Sequence, residues 1–110
     1  QYHDFLGDLY EELHGAVDPI AEHIRALDVY APISVLDVLG AATIAQDQSK
    51  PSTPIQMFSN LLSSNTEVVA ALQKAADHAN SINNQGLLNF LADRLDVHAK
   101  HAWMLKSLLK

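Results

Sequence analysis

Three side chains near the start of the sequence are suited to holding a metal ion: His3, Asp18 and Glu22. They lie in a stretch whose apolar residues recur at three- and four-residue steps, which predicts an amphipathic helix over residues 4–27. Asp18 and Glu22 are four residues apart, so a helix places both carboxylates on one face, one turn apart. An imidazole and two carboxylates without a thiolate suit Fe(II), and also Zn(II) or Mn(II).

His3 points to nearly the same side of this helix as Asp18, but it lies far along the helix axis. The two residues are fifteen positions apart, and at about 1.5 Å per residue that is on the order of 22 Å. One metal ion therefore cannot contact both residues in a single straight helix. Two antiparallel copies would bring His3 of one beside Asp18 and Glu22 of the other, so the spacing predicts a site shared across a symmetric dimer.

A second interpretation of the two carboxylates stays open, because Pro19 disfavours the α conformation for the residue before it. Asp18 would then be the N-cap of a new helical segment with Pro19 at its first position. Glu22 would be an acid that complements the helix dipole rather than a metal ligand.

The last predicted helix carries a second candidate, because His98 and His101 form a three-residue spacing that can chelate a metal. Its simpler interpretation is that His98 packs at a contact between helices with one ring nitrogen hydrogen-bonded. Trp103 and Met104, which follow directly, are expected in the core or at a subunit interface.

Composition narrows the class of protein. The 110 residues are 48% hydrophobic and contain no cysteine, which indicates one domain with one core and excludes a disulfide scaffold or a thiolate metal site. The formal charge of −6 argues against strong non-specific DNA binding. No apolar run is long enough to span a membrane and no signal-peptide pattern opens the sequence, so a cytoplasmic protein without membrane contact is expected.

The predicted fold is all-α, since no strand alternation is present. Ser34 is the expected N-cap of a short helix, and Thr53 with Pro54 is a strong helix start. A long connection between two antiparallel long helices is typical of ferritin-like bundles. Besides the helix over residues 4–27, the predicted segments are a connection over 28–53 with a short helix within 34–45, a helix over 54–81, a turn at 83–86 and a helix over 87–109.

Two segments of this sequence resemble a known family. His3 to Tyr10 (HDFLGDLY), followed by Asp18 to Arg25 (DPIAEHIR), is similar to the second helix of the Dps family, the ferritin-like mini-ferritins of bacteria and archaea. Asp96 to Leu105 (DVHAKHAWML) is similar to the last helix of that family. The resemblance covers essentially the whole sequence, and the two motifs occur in the expected order at about the expected separation.

This resemblance implies a ferritin-like antiparallel helix bundle, with residues 1–110 forming a single domain. Asp18 and Glu22 would be the main iron ligands, completed by His3 of the twofold partner. The expected activity is that of a ferroxidase, which oxidises Fe(II), preferably with hydrogen peroxide, and stores Fe(III) inside a hollow dodecamer. The family's first helix, with another metal-binding His and a Trp, would precede His3, so three of the four long helices are expected here.

The sequence also departs from the family pattern. Pro19 is unusual at its position, and Gly7 stands where many relatives carry an additional acid near the iron. Asn80, Gln85 and Asn89 stand where relatives place acids around a threefold pore, which predicts slower iron uptake. The alternatives are a structural or engineered cage subunit without working metal chemistry, and an all-α interaction module unrelated to metals.

Overall fold

The computed structural model describes residues 1–47, 50 and 53–110. These residues form helices and connecting segments and contain no strand, which confirms the all-α class. The helices are α1 (Tyr2–Gly15), α2 (Val17–Ala26), α3 (Val35–Ala41), α4 (Pro54–Ser81) and α5 (Gln85–Leu108). The chain divides into two compact units, Gln1–Thr43 and Ile44–Lys110. That residues 1–110 form a single domain stays a prediction.

In the first unit, the helix predicted over residues 4–27 is interrupted at Ala16 and becomes α1 and α2. The physical cause is Pro19, which has no N–H to donate to Gly15 and whose ring crowds that carbonyl. The Ala16 N–H donates to the Leu13 carbonyl over 3.2 Å. Regular helical bonding resumes where the Ile20 N–H donates to the Ala16 carbonyl over 3.1 Å. The prediction of one continuous helix is therefore wrong at this residue.

The short helix α3 begins as predicted, with Ser34 as its N-cap. The Asp37 N–H donates to Ser34 Oγ over 3.1 Å, and the Ile33 N–H donates to Asp37 Oδ2 over 3.4 Å. The first bond satisfies one of the N–H groups that the first turn of a helix leaves unpaired, and the second ties the residue before the N-cap to the same aspartate. α3 ends at Ala41, earlier than the predicted limit of residue 45. Within the predicted connection, residues 48, 49, 51 and 52, including Pro51, lie outside the described residues.

In the second unit, α4 and α5 pack against each other and are joined by a tight turn. α4 starts at Pro54 as predicted, with the Gln56 N–H donating to the Thr53 hydroxyl over 3.1 Å. Asn83 adopts a left-handed conformation with φ of 57°, a region that Asn tolerates better than most residues. The Leu87 N–H donates to Asn84 Oδ1 over 3.1 Å, so α5 begins at Gln85, slightly earlier than predicted.

The core of this second unit combines small residues of α4 with leucines of α5. Ala76 and Ala79 are buried against Leu91, and this set packs against Leu72, Leu87, Leu88, Phe90 and Leu95. Small side chains on α4 let the backbone of α5 approach closely. Phe58 and Leu105 are also almost fully buried, whereas Ile55, at the start of the predicted apolar stripe, is exposed. Across the described residues, none of the helices has the length and apolar character needed to cross a membrane.

Candidate metal centre

Asp18 and Glu22 both lie on α2, one helical turn apart, and both are exposed. α2 begins at Val17, so Asp18 is in its first turn and is not its N-cap. The N-cap is Ala16, whose side chain makes no capping hydrogen bond. The Asp18 carboxylate therefore lies near the positive end of the α2 dipole, where a negative charge is stabilised. A new helical segment does begin near Pro19, as the second interpretation required. It begins at Val17, two residues before the start at Pro19 that this interpretation predicted, so Asp18 as its N-cap is wrong.

The surface around Glu22 is concave. Glu22 lines an open depression together with Pro19, His23 and Ala26. Among the described residues, neither Asp18 nor Glu22 accepts a hydrogen bond. Their oxygens are therefore not already committed to other groups, which is a requirement for a metal ligand on a surface.

His3 is the second residue of α1 and is also exposed. The structure thus places the three predicted ligands on two successive helices of the first unit. Within residues 1–47, 50 and 53–110, no three or more His, Cys, Asp or Glu side chains gather closely enough to hold a metal ion. A site completed by a second subunit stays a prediction. One turn after His3, a Cβ on Gly7 would meet no atom within 4 Å, so a larger side chain fits there.

His98, the second candidate, is buried where α5 meets α4 and is held by a network of hydrogen bonds. Its Nδ1 lies 2.9 Å from Asn65 Oδ1, and the Asn65 amide nitrogen donates to the His98 carbonyl over 3.0 Å. Its Nε2 lies 2.7 Å from the Arg94 guanidinium. The ring of His101 meets the ring of His98 edge-on, with centroids 5.1 Å apart. The expectation of a packed histidine is confirmed, with both ring nitrogens bonded rather than one.

This network fixes the chemical state of His98. A guanidinium only donates, so Nε2 of His98 accepts from Arg94. Nδ1 therefore carries the proton and donates it to Asn65 Oδ1, which leaves a neutral imidazole with no free nitrogen. A ring bonded in this way cannot also bind a metal ion, so a chelate formed by His98 and His101 would require the network to break.

Two residues of this network, Asn65 and Arg94, were not identified from the sequence. A signal was present, because Asn65 follows Leu62 by three residues and precedes Val69 by four, in the apolar stripe of α4. Arg94 likewise follows Leu91 by three residues and precedes His98 by four. A polar residue at an apolar position of a helix predicts a buried partner on the facing helix.

Trp103 is 65% exposed. Of the two interpretations offered by the sequence, the core interpretation is therefore wrong for Trp103. A subunit interface stays as the prediction for this residue.

The whole chain, residues 1–110, matches the sequence model of the ferritin-like domain, and the protein belongs to this family. It is 28% identical over 109 residues to an uncharacterized low temperature-induced protein of Nostoc sp. strain PCC 7120. The match covers 98% of this chain but only 61% of that relative.

Solved structures of Dps proteins share the fold. Dps from Thermosynechococcus elongatus superposes with a TM-score of 0.92 at 23% identity, covering 98% of this chain and 68% of that one. Dps from Bacillus brevis superposes with the same TM-score and the same identity, and the match covers 98% of this chain and 72% of that one. The ferritin-like bundle class stated from the sequence is therefore confirmed, and at these identities the likeness to Dps proteins is one of fold.

Proposed function

We propose that this chain is the subunit of an iron-storage and detoxification protein with ferroxidase activity. Fe(II) is the substrate, hydrogen peroxide the oxidant, and Fe(III) the product that is stored within a hollow homo-oligomer of twofold dimers. The observation that carries this proposal is the pair of exposed, uncommitted carboxylates, Asp18 and Glu22, one turn apart on α2 of a ferritin-like chain. His3 of the partner subunit completes the site.

The donor set determines which chemistry this site favours. Anionic carboxylate oxygens stabilise Fe(III) more than Fe(II), because the electrostatic attraction grows with the charge of the ion. Binding at Asp18 and Glu22 therefore makes loss of an electron more favourable. Each peroxide molecule takes one electron from each of two Fe(II) ions and, with two protons, gives two water molecules. The same ligands also accept Zn(II) or Mn(II), which would compete without being oxidised by this route.

The shape of the surface also supports a shared site. The open depression beside Glu22 leaves space for a side chain from another subunit. Sharing the site in this way makes activity depend on assembly, because one chain supplies only part of the ligands.

Anaerobic addition of Fe(II), followed by peroxide, tests the proposal through the rise of ferric absorbance. We expect rapid oxidation by the unaltered protein and loss of that oxidation in Asp18→Ala/Glu22→Ala. The matched control is Asp8→Ala/Glu11→Ala, which removes two exposed carboxylates from α1 and should retain the rate. Equal, slow oxidation by all three proteins would refute the site and favour a cage subunit without metal chemistry.

Sharing between subunits is tested by mixing His3→Ala with Asp18→Ala/Glu22→Ala, after unfolding and refolding the two variants together. Each variant alone lacks part of every site. In a mixed dimer one of the two shared sites has all its ligands, so random pairing restores about a quarter of the sites. No recovery on mixing would show that His3 does not act across the dimer.

A further inference from the structure

The buried network between α4 and α5 contains a group that can change its charge near neutral pH. Histidine is the side chain whose ordinary pKa, about 6.5, lies in the physiological range. His98 is 3% exposed, and the Arg94 beside it is 7% exposed. Because a guanidinium stays positive, this buried pair carries one charge when His98 is neutral and two charges when it is protonated.

The hydrogen bonds of His98 are compatible only with the neutral ring. Nε2 lies 2.7 Å from the Arg94 guanidinium and accepts from it, while Nδ1 lies 2.9 Å from Asn65 Oδ1 and donates to it. A protonated imidazole has two donors and no acceptor. Its Nε2–H would face the N–H of Arg94, and two positive charges would meet away from water. The lost bond and the repulsion both oppose protonation in the folded chain.

The groups that surround this pair in the second unit bring no buried negative charge to it. α4, which packs against α5, contributes Asn65, and this side chain does not titrate. On α5, the ring of His101 lies edge-on to that of His98. The described acids of the unit are all exposed: Asp47, Glu67, Asp77, Asp93 and Asp96. Its described bases outside the network are exposed as well: Lys50, Lys74, His78, Lys100, Lys106 and Lys110.

We infer that Asn65, His98 and Arg94 form an acid-sensitive switch, which holds α5 against α4 near neutral pH and favours their separation as the pH falls. Separation exposes the imidazole to water, where it keeps the added proton without facing the guanidinium. The switch lies apart in the sequence from the carboxylates of α2, and the inference does not depend on iron chemistry.

The direction of the pH dependence follows from comparing the folded and unfolded chains. The folded chain favours neutral His98, whereas in the unfolded chain the ring takes up a proton at its ordinary pKa of about 6.5. The unfolded chain therefore binds this proton first, so the stability that is complete above about pH 6.5 is lost below it. For one such group, the unfolding equilibrium constant at pH 5.5 should be about tenfold larger than at pH 7.5.

Urea unfolding at pH 7.5 and pH 5.5, at a fixed protein concentration, measures this change. Arg94→Gln is the decisive variant, because an amide can donate to the neutral ring and, after rotating, accept from the protonated ring. Its equilibrium constant should change about tenfold less between the two pH values than that of the unaltered protein. The matched control is Lys100→Gln, which removes the same charge from an exposed position of α5 and should keep the full pH dependence.

NMR of the histidine rings tests the same inference without any substitution. We expect His98 to stay neutral, with its proton on Nδ1, throughout the pH range in which exposed histidines take up a proton. Circular dichroism checks that the helices persist over that range. Protonation of His98 while α4 and α5 stay helical would overturn the inference. The same pH dependence in Arg94→Gln and the unaltered protein, or an equal loss of it in Lys100→Gln, would also overturn it.

Discussion

Two groups of polar side chains in this protein differ in their exposure to solvent. The carboxylates of α2 are exposed, whereas the polar network between α4 and α5 is buried. Asp18 and Glu22 are exposed, and no described residue forms a hydrogen bond with either side chain. Asn65 and His98 are buried and bonded to each other through two contacts of 2.9 and 3.0 Å. The buried groups must be satisfied within the chain, because leaving them unpaired away from water is costly. The exposed groups are free to bind something from outside.

This difference separates the residues that hold the fold from those that are available for function. The α4–α5 network fixes how two helices meet, and its loss should reduce stability. The α2 carboxylates contribute little to the folding of one chain. Their substitution should instead alter binding, oxidation or assembly.

The largest effect that would test this contrast is expected for His98→Ala. It removes the buried imidazole and leaves Asn65 and Arg94 without the bonds they make to its ring, so the free energy of unfolding should fall by about 3 kcal/mol. Urea unfolding at a fixed protein concentration measures this change. Asp18→Ala/Glu22→Ala is the comparison and should alter stability by less than about 0.5 kcal/mol. Similar losses in the two variants would remove the distinction between the regions.

A smaller, functional effect is expected for Asn89→Asp, at the start of α5. Asn89 is exposed and its Oδ1 accepts from Gln85 Nε2 over 3.1 Å, a bond that a carboxylate keeps. A ring of such acids at a pore attracts cations, so iron uptake should rise several-fold. Stopped-flow uptake measurements test this, with Asn89→Ala as the control that removes the amide without adding charge. An unchanged uptake rate would mean that iron does not pass this end of α5.

The smallest effect is expected at Gly7, one turn after His3. Because a Cβ atom at this position would meet no atom within 4 Å, Gly7→Asp should fold normally and add a carboxylate beside the proposed site. We expect ferric formation to accelerate by about threefold through added electrostatic attraction of the cation. Gly7→Ala is the control for helix propensity, since it stabilises α1 without adding charge. Equal rates in the two variants would place Gly7 away from the iron.

Local sequence determined most of the helices. Ser34 and Thr53 begin α3 and α4 because a hydroxyl bonds to an N–H three residues later, an interaction contained in four consecutive residues. Pro19 indicated a new segment, but not that α2 would begin at Val17, because the break falls where the proline meets the carbonyl of Gly15. The family pattern, carried by short motifs in order, was also recognisable from sequence alone.

Tertiary structure decided which polar and aromatic side chains are buried. His98 and Asn65 are 33 positions apart, and only the packing of α5 on α4 brings them within 2.9 Å. The same packing turns Trp103 to the outside of α5, where the sequence allowed either the core or an interface. Periodicity assigns residues to a face of a helix, whereas burial depends on what that face meets. Which element a helix face packs against is set by contacts between residues far apart in the chain, and no local sequence pattern contains these contacts.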